Sequence, residues 1–157
     1  MLRQRILHGV RAGAVAAGAT SGALIGLGVR DGAPGRALAL AGQRLRGVPD
    51  FIVPETGLGL SALLGAAHLA LLVIAWGVLF TVLADGLRGA RLLAVAALFS
   101  AAVWLLNAHA LPPSLRFADG VAAYPPHQWV VYSILALSLA FGVRIAPVEP
   151  PVGRRAD

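Results

Sequence analysis

The chain has 157 residues, only 13% of them charged, a net charge of +6 and a mean hydropathy of +0.78, where a soluble domain of ordinary composition carries about 25% charge. With the apolar residues gathered in long blocks, this excludes a water-soluble globule and indicates a polytopic helical membrane protein. There is no cysteine, which excludes disulfides, thiolate metal sites, iron–sulfur clusters and covalently attached c-type haem.

Four apolar blocks follow one another, over residues 10–29, 58–84, 92–111 and 128–143. Each is close to the ~20 residues that a helix needs to cross ~30 Å of hydrocarbon. Backbone groups in lipid must be satisfied within the segment, and the short alternating stretches of a barrel are absent, so the blocks are expected to be helices. The predicted fold is all-α: four transmembrane helices in an antiparallel bundle, forming one domain over residues 1–146, with a disordered tail over 147–157.

The first block follows Arg3 and Arg5 and is rich in small residues, as a signal peptide would be. Arg11 interrupts the apolar core that cleavage requires, so an uncleaved span is expected. Within it Gly18, Gly22 and Gly26 recur every four residues, continuing a row from Ala14. Small residues at this spacing let helix backbones approach closely in lipid. The row fits a contact inside the bundle, a seam between copies or a pore lining.

Between the first two blocks, PGRALALAGQRLRG places Leu38, Ala41 and Leu45 at spacings of three and four, with Arg36, Gln43, Arg44 and Arg46 mostly elsewhere. This predicts a short amphipathic helix in the headgroup region, the alternative being a polar loop.

In the second block Gly57, Ser61, Gly65, His68 and Leu72 share one helix face. Ser61 and Gly65 are expected to pack against a neighbouring helix, and His68 falls near mid-membrane. An ionisable group at that depth is a site hypothesis by default. Neutral imidazole ligates haem iron, chlorin magnesium or a transition metal; the plainer alternative is a hydrogen bond to an adjacent helix. No cofactor is required by the sequence, and haem or chlorin is the class that His68 would take.

The short DGLRGAR connection predicts a tight hairpin between the second and third blocks. The third block closes on LNAHALPP, where Pro112 and Pro113 stop the helix. Asn107 shares a face with Trp104 and Ser100 and is expected to bond across to another helix. His109 and His127 fall at the same membrane face, among Tyr124 and Trp129. They read as interfacial side chains or as a metal or haem pair with Asp119 as a third ligand. Pro125 and Pro126 fit the first turn of the last helix.

All thirteen cationic residues are arginines, and they flank the blocks, which fits membrane orientation and anionic headgroups and argues against nucleic acid. With the N-terminus cytoplasmic, Arg3, Arg5, Arg11, Arg88, Arg91, Arg144, Arg154 and Arg155 lie inside and Arg30, Arg36, Arg44, Arg46 and Arg116 outside. Both termini are therefore expected in the cytoplasm of a bacterium, with the chain in its inner membrane. No carboxylate falls inside a block, as an ion-coupled transporter would require. No Gly-x-Ser-x-Gly, His-Glu-x-x-His or phosphate-loop pattern occurs, so no enzyme activity is expected. The leading functional expectation is an accessory or structural subunit whose partners are the bilayer and other membrane subunits or copies of itself. The alternatives are a haem-, pigment- or metal-binding redox subunit using His68, and a small oligomeric channel or transporter.

Overall fold

The computed structural model describes residues 2–48, 59–112, 116 and 125–145. Among these the only regular elements are helices: α1 (Leu2–Arg30), α2 (Arg36–Leu45), α3 (Leu60–Leu83), α4 (Gly89–Leu105) with a π-helical turn at its end (Leu106–Ala110), and α5 (Pro125–Ile145). Four stretches, Arg3–Arg30, Leu60–Leu83, Gly89–Ala110 and Pro126–Ile145, are long and apolar enough to cross a membrane. α1 starts well before the apolar block does, because the polar first turns carry no helix breaker. α5 starts on Pro125, whose missing N–H costs nothing at a first turn.

α1 packs on α3 and α5. The contacts climb one helix as they descend the other. Arg5 meets Thr81 and Asp85, Gly9 meets Val78, and Gly13 meets Ile74. The approach is possible because glycines sit on both sides. A Cβ on Gly9 would stand 2.5 Å from the Val78 Cα, and one on Gly77 2.5 Å from the Gly13 Cα. On the α5 side, a Cβ on Gly142 would stand 2.6 Å from the Ala12 Cα. Close backbones of this kind gain dispersion contact where water cannot drive association. Between them lie the fully buried Ala16, Thr20, Val73, Phe80, Leu135 and Leu139.

α2 lies against the first half of α3. Its buried row is Leu38, Ala39 and Gly42, whereas the sequence points to Leu38, Ala41 and Leu45. Leu45 is exposed. The rotation follows from a second glycine pair: side chains added at Gly42 or Gly65 would collide with the Ser61 or Leu38 carbonyl. Arg46 also donates from Nη1 to Ser61 Oγ, 3.3 Å.

The turn from α3 to α4 is short, and Gly86 takes the left-handed φ of 74° that it needs. The two helices nevertheless do not form the close hairpin that the turn predicts. α4 packs mainly on α5 and reaches α3 through rings, with Phe99 edge-on to Trp76 at 6.1 Å and tilted against Phe80 at 5.3 Å between centroids. These bulky side chains hold the backbones apart. Outward, Leu71 and Leu98 are 69% and 71% exposed, the inverse of a water-soluble surface.

Where α1 begins and α3 ends, Arg5 pairs with Asp85 at 2.6 Å, both side chains about half exposed (47% and 53%). An ion pair this open is worth little. Asp85→Asn is expected to cost about 0.2–1 kcal/mol in a denaturant titration, leaving the glycine contacts to hold α1 on α3.

Candidate functional site

Several of the polar groups inside the bundle lie along the seam between α4 and α5. Ser100 Oγ, buried, donates to the Tyr132 carbonyl at 2.6 Å. One turn on, Trp104 Nε1 donates to Gln128 Oε1 at 2.9 Å, and its ring tilts against Trp129 with centroids 5.8 Å apart. A cavity of about 290 Å³ opens between these side chains. Ser100→Ala is expected to lower stability by about 0.6 kcal/mol, the usual size of an interhelical hydrogen bond in lipid. Thermal unfolding in detergent measures it.

Another turn on, the seam meets the π turn. Pro112 disfavours α geometry at Leu111, which is extended (φ −79°, ψ 139°). The Leu111 N–H reaches five residues back to the Leu106 carbonyl, 2.9 Å. Such turns are rare and collect at functional positions. This one buries Asn107 and leaves His109 exposed.

His127, in the first turn of α5, is 8% exposed, and its Nδ1 lies 3.8 Å from Asp31 Oδ2, just past the end of α1. Of the expected metal pair, His127 is buried beside the Asp31 carboxylate in the turn after α1, and His109 is exposed. Among the described residues no three His, Asp or Glu side chains gather as a metal site. Asp119, the expected third ligand, lies outside the described residues. Asp31 is the member that sequence reading passes over, because it sits nearly a hundred residues from His127.

His68 lies about 12 Å from the Leu60 end of α3 on a rise of ~1.5 Å per residue. It is partly buried, and among the described residues its Nε2 has no hydrogen-bond partner. Trp76, two turns along, buries an Nε1–H that is also unpartnered, as is the Thr20 hydroxyl in the core. Buried polar atoms are seldom left so, since each forfeits the free energy of a hydrogen bond.

The small residues divide into two sets. Ser61 and Gly65 face a helix, and it is α2. Gly18, Gly22 and Gly26 do not make the contact inside the bundle that their spacing allows. All three are exposed, and among the described residues a Cβ on any of them would have nothing within 4 Å. α1 uses Gly9 and Gly13 for its own neighbour and turns the later row outward. Arg11 is exposed seven residues before Gly18, hence on the same face. Among the described residues it has no ion-pair partner. Comparison with protein-family models, curated proteins and solved structures finds no match to this chain.

Proposed function

We propose that the chain is a small integral subunit of a bacterial inner-membrane assembly, docking through the Arg11–Gly26 face of α1 on a neighbouring subunit or a second copy. The observation that carries this reading is the uncovered glycine row. A smooth, small-residue helix face is poorly filled by lipid tails and well filled by another helix. Arg11 adds that the partner presents a carboxylate or other acceptor at its level, because a charge inside a span seeks a counterpart or snorkels out. In the same reading the four long helices form an antiparallel membrane bundle with both termini cytoplasmic, and α2 is an amphipathic helix at the opposite headgroup level. The arginine distribution supports that orientation. Blue-native electrophoresis of mildly solubilised native membranes tests the proposal. A discrete larger species is expected; a lone 16.1 kDa protein in every mild detergent would overturn it.

A second reading has its own observation, the buried and unpartnered Nε2 of His68 with Trp76 two turns away. An imidazole so placed suits a haem iron, a chlorin magnesium or a bound metal ion. The absorption spectrum of protein purified from its native membrane tests it. A Soret or chlorin band that disappears in His68→Ala is expected, and a featureless spectrum together with no bound metal would sink it.

A further inference from the structure

We propose that the end of the bundle near Arg5 and Arg144 holds one anionic phospholipid, its phosphate in a basic cleft and an acyl chain in the apolar groove beside it. The cleft, about 560 Å³, forms where α1, the α3–α4 turn, α4 and α5 converge, and Arg5, His8, Asp85, Arg88 and Arg144 line it. Three arginines against one aspartate leave two formal positive charges, and Arg5 already answers Asp85. Arg88 and Arg144 are exposed and, among the described residues, have no acidic partner. α4 also begins in the cleft, with no side chain capping its first N–H groups. Its dipole adds a further pull on an anion.

The second observation is independent of charge. A groove of about 580 Å³ adjoins the cleft, sharing Gly89, Leu92 and Arg144 with it, and apart from Ser138 is otherwise lined by apolar side chains such as Val15, Leu93, Leu137 and Phe141. From Arg144 to Leu137, seven residues of α5, the groove runs about 10 Å toward the middle of the bundle. That is most of one leaflet's hydrocarbon depth, taken as half of ~30 Å. A free phosphate fills only the cleft, and an apolar helix only the groove. A diacyl lipid with a net negative headgroup fills both, and it is the molecule that a bilayer supplies at that place.

Native mass spectrometry of the full-length protein, with phosphatidylglycerol or phosphatidylcholine added in detergent, reads the site. One phosphatidylglycerol is expected to be retained at least about tenfold more tightly than phosphatidylcholine. Arg88→Gln with Arg144→Gln should abolish that preference, at about fivefold per arginine near an anionic headgroup. Arg3→Gln with Arg91→Gln, which removes the same charge outside the cleft, should leave it intact. Ala19→Phe, which narrows the groove, should weaken retention of both lipids. Circular dichroism and elution position show that each variant folds, and if the cleft pair does not, Arg88→Gln alone gives the reading. Equal retention of the two lipids, an unchanged preference in the Arg88/Arg144 variant, an equal loss in the Arg3/Arg91 variant, or displacement by millimolar inorganic phosphate would each overturn the proposal.

Discussion

Gly77→Leu is expected to unseat α1 from α3 and to destabilise the protein more than any polar substitution. A Cβ at this position would meet the Gly13 Cα at 2.5 Å, the Gly13 nitrogen at 2.6 Å and the Gly9 carbonyl oxygen at 2.8 Å. All three are backbone atoms of a helix, so none can rotate away. The helices must separate along their shared length, losing the contacts that Gly9 and Gly13 make with Val78 and Ile74. Overpacking of this kind costs about 1–3 kcal/mol, and the rigid neighbours place this case at the upper end. The gain in intrinsic helix propensity on leaving glycine is about 1 kcal/mol at most and does not offset it. Titration with a denaturing detergent, followed by far-ultraviolet circular dichroism, measures the loss. A variant as stable as the parent would show that α1 does not pack on α3 through these glycines.

Gly18→Leu with Gly22→Leu is expected to do the opposite. Among the described residues nothing lies within 4 Å of a Cβ at either position, so the isolated chain should fold unimpaired and gain slightly from helix propensity. What should be lost is association. Leucines on a close helix–helix seam force the backbones apart, and a tenfold or greater weakening, roughly 1.4 kcal/mol or more, is expected. Crosslinking in membranes and blue-native electrophoresis read the association, and the detergent titration reads the fold. Arg11→Leu should weaken association without changing monomer stability, if the partner carries an acceptor at that level. Should the doubly substituted chain migrate with the same partner, docking through this face would be ruled out.

The four long helices were legible because each hydrophobic block is long enough to demand one, and the proline pairs marked where two of them end and begin. The positions of small residues were equally plain, but not what they face. Gly9 and Gly13 have the same four-residue spacing as Gly18 and Gly22, yet one pair is covered by α3 and the other is bare. That choice depends on which neighbour arrives with its own glycine, Gly77, far later in the chain. The same holds for α2. Its leucine row pointed one way, and the Gly42–Gly65 approach turned it another. Ser100 and Asn107, which the sequence places on one helical row with Trp104, are both buried. Asp31 beside His127 could not be read, because a contact between the turn after one helix and the first turn of another leaves no periodic trace.

The outward leucines are placed to meet hydrocarbon. The absence of native cysteine makes single-cysteine labelling direct. Leu71→Cys, at a side chain 69% exposed on the bundle surface, should resist a membrane-impermeant maleimide in intact vesicles and react once detergent is added. Arg36→Cys and Arg91→Cys, at opposite ends of the bundle, should each react from one side of the membrane only. Labelling of Leu71→Cys in intact vesicles as fast as the accessible end position would contradict the account.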